Sequence, residues 1–136
     1  MRQPLFLDTS GWLAAIVVQE ARHAEARLLY GEIVEGGGRL LTTNLVVAEL
    51  HALLTRRRGP KLALAVLDQL AQDANHEVVF VDVELQAAAV DRWLRPFRDQ
   101  SFSLTDAVSF EVMRQRRVRR ALAIDRHFEI AGYQIL

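Results

Sequence analysis

The chain has 136 residues, 51% hydrophobic, 25% charged and 7% aromatic, which suits one domain able to bury a core without covalent or metal staples. It has no cysteine, so thiolate zinc sites, thiol nucleophiles and a disulfide framework are excluded. Seventeen basic residues balance seventeen acidic ones, and no whole-molecule field draws the chain to nucleic acid.

In chain order, Leu5-Phe6-Leu7 reads as a short strand ending in Asp8, and Ser10 can cap a helix through Val18. A second helix over Ala21 to Glu35 closes at Gly36-Gly37-Gly38. Arg39 to Thr42 is the next strand, followed by an Asn44-capped helix to about Arg57. Gly59-Pro60 breaks the chain and opens a helix to about Gln72. The β-branched run Val78 to Val81 is a third strand. Helices over Val83–Leu94 and Leu104–Gln115 flank a turn around Pro96. Ala121 to Ile124 is a strand ending in Asp125, and a short helix leads to a last strand over Tyr133 to Leu136. Strands alternating with helices predict an α/β fold with a mainly parallel sheet of about five strands, in one domain spanning 1–136. Met1 to Asp8 is too short, and reaches an acid too early, for a secretion signal. The apolar run Trp12 to Val18 falls far below the roughly 18 residues of a membrane span. A cytoplasmic protein with no membrane contact is therefore expected.

Ligands of such sheets bind beyond the carboxyl ends of the strands, and the residues there are carboxylates. Asp8, Asp82 and Asp125 each follow a strand, although an aspartate between strand and helix is also a favoured N-cap. Glu49 has apolar neighbours one helical turn away in Leu45, Val46, Ala52 and Leu53. It is either a site acid or an acid at the edge of an apolar stripe reaching Arg56 or His51. Asp106 sits in Ser103-Leu104-Thr105-Asp106, a capping-box sequence that can equally hold a carboxylate at a cleft mouth. If Asp8, Glu49, Asp106 and Asp125 converge, they cannot all stay ionised without a cation. Hard oxygen donors then call for Mg²⁺ or Mn²⁺, which bind substrate phosphates. The four histidines are scattered without paired spacing, and surface positions are expected for His23, His51, His76 and His127.

The basic residues are sixteen arginines and Lys61. Two clusters stand out, Arg56-Arg57-Arg58 and the group Arg114, Arg116, Arg117, Arg119 and Arg120. Arginine suits bidentate phosphate contacts, while residues at a helix C-terminus also complement its dipole. The stretch Leu62 to Leu67 is apolar around more of a helix than one core face requires, which fits deep burial or a surface for a second copy or another protein.

Four segments now fall into one pattern. They are Asp8-Thr9-Ser10, Glu49 within Thr42-Thr43-Asn44 to Leu54, Ser103-Leu104-Thr105-Asp106-Ala107-Val108-Ser109, and Ala123-Ile124-Asp125-Arg126-His127-Phe128 with Gly132. In order and spacing they resemble a PIN-domain ribonuclease, and within that family the VapC-type toxins of prokaryotic toxin–antitoxin pairs. The resemblance runs from Leu5 to the C-terminus. It implies an α/β/α sandwich with Asp8, Glu49, Asp106 and Asp125 as catalytic, metal-binding acids around one or two Mg²⁺ or Mn²⁺ ions. Ser10 and Thr105 would orient those acids. The implied reaction is hydrolysis of RNA phosphodiester bonds, leaving a 5′-phosphate and a 3′-hydroxyl, by a homodimer held in check by a cognate antitoxin protein. Many relatives carry a further acid two residues after the last one, where this chain has His127. That departure implies one tightly held ion and a weaker one arriving with substrate. His127, Arg56, Arg57 and Arg58 are the candidate substrate contacts, and Asp82 matches no family position and reads as a helix cap. The rival reading is a catalytically silent PIN-like module that binds RNA or protein, whose mark would be loss of one of the four acids.

Overall fold

The computed structural model describes residues 3–136. Its element order is β1 (Leu5–Leu7), α1 (Thr9–Ile16), α2 (His23–Glu35), β2 (Leu40–Thr43), α3 (Asn44–Arg58), α4 (Pro60–Gln72), β3 (His76–Val79) and α5 (Val83–Ala89). A π-helical turn over Val90–Leu94 continues α5, and α6 (Leu104–Arg116), β4 (Arg120–Leu122), α7 (His127–Ile130) and β5 (Gln134–Ile135) complete it. The five strands are all parallel, in the order β3-β2-β1-β4-β5. The chain runs outward from β1 through β2 to β3, then returns to the other side of β1 for β4. The strand order therefore reverses between β1 and β4, where a crevice opens beyond the strand ends in folds of this kind.

β1 reads buried at every position, Leu5, Phe6 and Leu7, as a central parallel strand covered on both faces must. Helices α1 to α4 pack on one another in one group, and α5, the π-helical turn, α6 and α7 form another. The second group is held by rings: Phe110 meets Phe128 edge-on at 4.9 Å and Phe102 at 5.1 Å, and Trp93 packs on Phe110 at 5.3 Å. Behind them Glu111 is buried, accepting hydrogen bonds from Trp93 Nε1, Arg114 Nε and Nη2, and Gln115 Nε2. No described helix is long and apolar enough to cross a membrane.

The sequence expectations for the elements hold with shifts of at most two residues, and two caps differ. Asp8, not Ser10, caps α1, because its carboxylate accepts the Ser10 amide while Ser10 lies inside the helix. Thr43, not Asn44, caps α3 through Thr43 Oγ1 and the Val46 amide, which leaves the Asn44 amide oxygen to accept from Val81 N beyond β3. The expectation of surface histidines fails at His76. Its side chain is 3% exposed, stacked on Trp12 at 5.8 Å and hydrogen-bonded to the Tyr30 hydroxyl at 2.8 Å. Burial lowers its pKa, against the pull of Asp73.

Candidate active site at the reversal of strand order

Asp8 leaves β1 at the reversal point and is 4% exposed. Its amide donates to the Leu122 carbonyl of β4, which fixes it against the neighbouring strand. The Ser10 hydroxyl donates to Asp8 Oδ2 at 2.7 Å and accepts from the amides of Ile124 at 3.0 Å and Asp125 at 3.3 Å. One serine thus ties the acid after β1 to the chain that carries the acid after β4. Gly11 makes that approach possible: a Cβ there would stand 2.0 Å from the Leu122 carbonyl oxygen. Only a residue without a side chain lets the first turn of α1 lie flat on β4.

Asp106 is presented by the N-terminus of α6. The capping box is complete, with Ser103 Oγ accepting from Asp106 N at 3.0 Å and Asp106 Oδ2 accepting from Ser103 N at 3.1 Å. The cap also faces the site, since the same Oδ2 lies 2.9 Å from His127 Nδ1. Asp125 Oδ1 accepts the His127 amide at 2.9 Å and stands 3.5 Å from His127 Nδ1. Donor atoms of Asp106, Asp125 and His127 all lie within 4.8 Å of one another.

The acids are not neutralised by the protein. Among the described residues no arginine or lysine pairs with Asp8, Asp106 or Asp125, and the single basic side chain beside them is the His127 imidazole. Burial pushes the Asp8 carboxyl up to about 6; the Ser10 hydroxyl opposes this and the Asp106 charge adds to it. Buried and half-buried oxygen donors with unbalanced negative charge fit a divalent cation, and Asp106, Asp125 and His127 are the residues placed to hold one.

Other candidates lie elsewhere. Glu49 is exposed in the second turn of α3 and outside the group of three donors. The core face of α3 is Val46, Leu50 and Leu54, one step around the helix, so Glu49 stands at the edge of the apolar stripe, and Ala48 and Ala52 are exposed. Thr105 is half-buried in the first turn of α6, and its carbonyl, not its hydroxyl, is engaged, by Ser109 Oγ. Arg56, Arg57 and Arg58 end α3, about 20 Å along the helix from its start beside β2, and Arg57 pairs with Glu20. In the second cluster Arg114 pairs with Glu111 and Arg116 with Glu77. Asp82 is a helix cap, accepting from Leu85 N at 2.8 Å. Sequence reasoning missed Ser101 and Phe102, which hold the far side of His127: Ser101 Oγ is 3.4 Å from Nε2, and the Phe102 ring meets the imidazole edge-on at 5.3 Å. Neither had a motif to announce it.

Comparison with known proteins agrees with this geometry. Residues 5–132 match the PIN domain family. The chain is 35% identical over 130 residues to the 23S rRNA-specific endonuclease VapC20 of Mycobacterium tuberculosis, covering 95% of each protein. It is 32% identical over 126 residues to ribonuclease VapC26 of the same organism, covering 91% of this chain and 89% of that one. The crystal structure of M. tuberculosis VapC20, described as a sarcin–ricin loop cleaving toxin, superposes with a TM-score of 0.84 at 31% identity over 95% of both chains. A five-stranded parallel sheet, acids gathered where its strand order reverses, and relatives matched over nearly their whole length lead to one assignment: this chain belongs to the PIN domain family, in its VapC-type branch.

Proposed function

We propose that this protein is a VapC-type endoribonuclease, the toxin of a toxin–antitoxin pair, and that it hydrolyses RNA phosphodiester bonds with Mg²⁺ or Mn²⁺ at the site of Asp8, Asp106 and Asp125. The observation that carries this reading is the meeting of Asp106, Asp125 and His127 beside the buried, uncompensated Asp8. Glu49 joins the set through the family pattern, with an exposed carboxylate on α3. A divalent cation bound there supplies positive charge to the phosphodiester and acidifies water. The chain's own residues do the placing. Ser10 locks Asp8 to the backbone of Ile124 and Asp125, Ser103 fixes Asp106 at its helix end, and Thr105 lines the same turn. His127, beside Asp106 and Asp125, would stand close to the RNA phosphate, and Arg56, Arg57 and Arg58 would meet RNA farther along the strand.

A silent module would have lost one of the acids, and Asp8, Glu49, Asp106 and Asp125 are all present. The relative VapC20 is named for 23S rRNA, and that RNA, with its sarcin–ricin loop, is the first substrate to offer. The antitoxin is proposed to dock on the groove between α1, α2 and α4, a space of about 270 Å³ lined by Trp12, Ile16, Tyr30, Leu62, Val66 and Leu70. A homodimer in the cytoplasm completes the reading.

The test is incubation of purified protein with 23S rRNA and a mixed RNA panel in Mg²⁺ or Mn²⁺, with EDTA and Asp8→Asn as controls. Cleavage to 5′-phosphate ends that vanishes in both controls is expected. Cleavage that survives EDTA contradicts the metal. A folded protein that binds the cation but cuts no RNA, free of any copurified inhibitor, contradicts the nuclease.

A further inference from the structure

The site differs from an all-carboxylate cluster by one imidazole, and its geometry says what that imidazole does. His127 Nδ1 stands 2.9 Å from Asp106 Oδ2 and 3.5 Å from Asp125 Oδ1. Donors on adjacent corners of an octahedron around a small divalent ion, with bonds of about 2.1 Å, are separated by about 3 Å. The two separations from His127 Nδ1 are close to that spacing, and donor atoms of all three residues lie within 4.8 Å of one another. The other ring nitrogen also has a polar neighbour, as metal-bound histidines commonly do. His127 Nε2 points to Ser101 Oγ at 3.4 Å, the Phe102 ring braces the imidazole edge-on, and the backbone amide of His127 is tied to Asp125 Oδ1.

Resting on the metal-dependent reading above, we infer that His127 Nδ1 is a direct ligand of the cation, which makes this a mixed nitrogen–oxygen site that selects Mn²⁺ over Mg²⁺. Mg²⁺ prefers oxygen donors and keeps its waters, whereas affinity for sites containing imidazole rises along the first-row transition ions. Mn²⁺ therefore gains from the imidazole what Mg²⁺ does not, and Co²⁺ gains more. Ser101 acts through His127 as a positioning residue.

Binding of Mn²⁺ and Mg²⁺ to the full chain, measured by calorimetry without RNA, and pulsed EPR of the Mn²⁺-loaded protein test this together. The expected results are at least about tenfold tighter binding of Mn²⁺ than of Mg²⁺ and a nitrogen-14 coupling typical of directly bound imidazole. In His127→Asp, with folding checked by circular dichroism, the coupling should vanish and the preference shrink. Ser101→Ala should weaken Mn²⁺ binding by about tenfold while keeping the coupling. Tight Mn²⁺ binding without nitrogen coupling overturns the role of His127 and leaves the metal site standing. Absence of Mn²⁺ binding, or binding that persists in the Asp106→Asn/Asp125→Asn double variant, overturns both readings.

Discussion

Two acids lie deep in this protein, and their surroundings push them in opposite directions. Around Glu111, burial works against the charge, yet hydrogen bonds from Arg114, Gln115 and Trp93 outweigh it and hold the carboxyl below its usual range. Around Asp8, burial again dominates, the Ser10 hydrogen bonds do not offset it, the Asp106 charge adds to it, and the carboxyl rises to about 6. The Glu111 network is complete and closes the second helical group onto its π-helical turn. The Asp8 group is left short of positive charge. A buried carboxylate that the protein satisfies is structure; one that it leaves uncompensated, beside others like it, is a place for a cation and a substrate.

The sharpest break of that contrast is substitution on both sides. Asp125→Asn or Asp106→Asn should cut RNA cleavage by about a thousandfold or more with the thermal midpoint kept, read by a fluorescent RNA assay and calorimetric melting. Glu111→Ala should do the reverse: about 2 kcal/mol of stability lost with kcat per folded molecule retained. Equal loss of activity at both positions would erase the distinction.

Gly11→Ala probes how the site is assembled. With Leu122 O only 2.0 Å from the new methyl group, α1 must shift off β4, and a loss of about 2–3 kcal/mol is expected. Cleavage should fall with it, because Ser10 then loses Ile124 and Asp125. A denaturation midpoint unchanged from wild type would contradict the close approach.

The pH dependence of stability in EDTA separates the two acids further. The Asp8 carboxyl binds its proton more tightly folded than unfolded, so its effect is most favourable below its ordinary pKa of 3.8. Stability is then lost as pH rises through about 6, by about 2–3 kcal/mol. Asp8→Asn keeps an oxygen for Ser10 and should remove that decline, leaving the metal-free protein more stable than wild type at pH 7. Urea denaturation from pH 4 to 7 reads the difference, and parallel curves for the two proteins would contradict it. The smallest effect belongs to Arg56, Arg57 and Arg58. Neutralising all three should leave cleavage of a short RNA within about threefold, while lowering the salt dependence of binding to long RNA.

How much of this was legible in the sequence depended on range. Asp8, Asp106 and Asp125 could be read because each closes a strand or opens a helix, where local pattern fixes position relative to the sheet edge. Ser10 was legible as a partner of the acids but not as a bridge, since its contacts with Ile124 and Asp125 lie 114 and 115 residues away. Apolar neighbours one turn away left Glu49 open as a site acid or an acid at the stripe edge; the core face passes one step beside it, through Val46, Leu50 and Leu54, and only the tertiary packing shows where that edge lies. His76 was expected at the surface and is buried by Trp12 and Tyr30 from other elements. The Glu111 network was invisible, for a glutamate followed by Arg114 and Gln115 reads as an ordinary solvated helix face until Trp93 folds over it. In each case the missing information was tertiary.

The most direct test of the central claim, that the uncompensated acids form a cation-dependent ribonuclease site, is cleavage of 23S rRNA by wild type and Asp125→Asn, with Mn²⁺, Mg²⁺ or EDTA. The expected result is cutting by wild type with either metal, faster with Mn²⁺, and none with EDTA or in the variant. Equal cutting by wild type and Asp125→Asn, or cutting undiminished by EDTA, would contradict it.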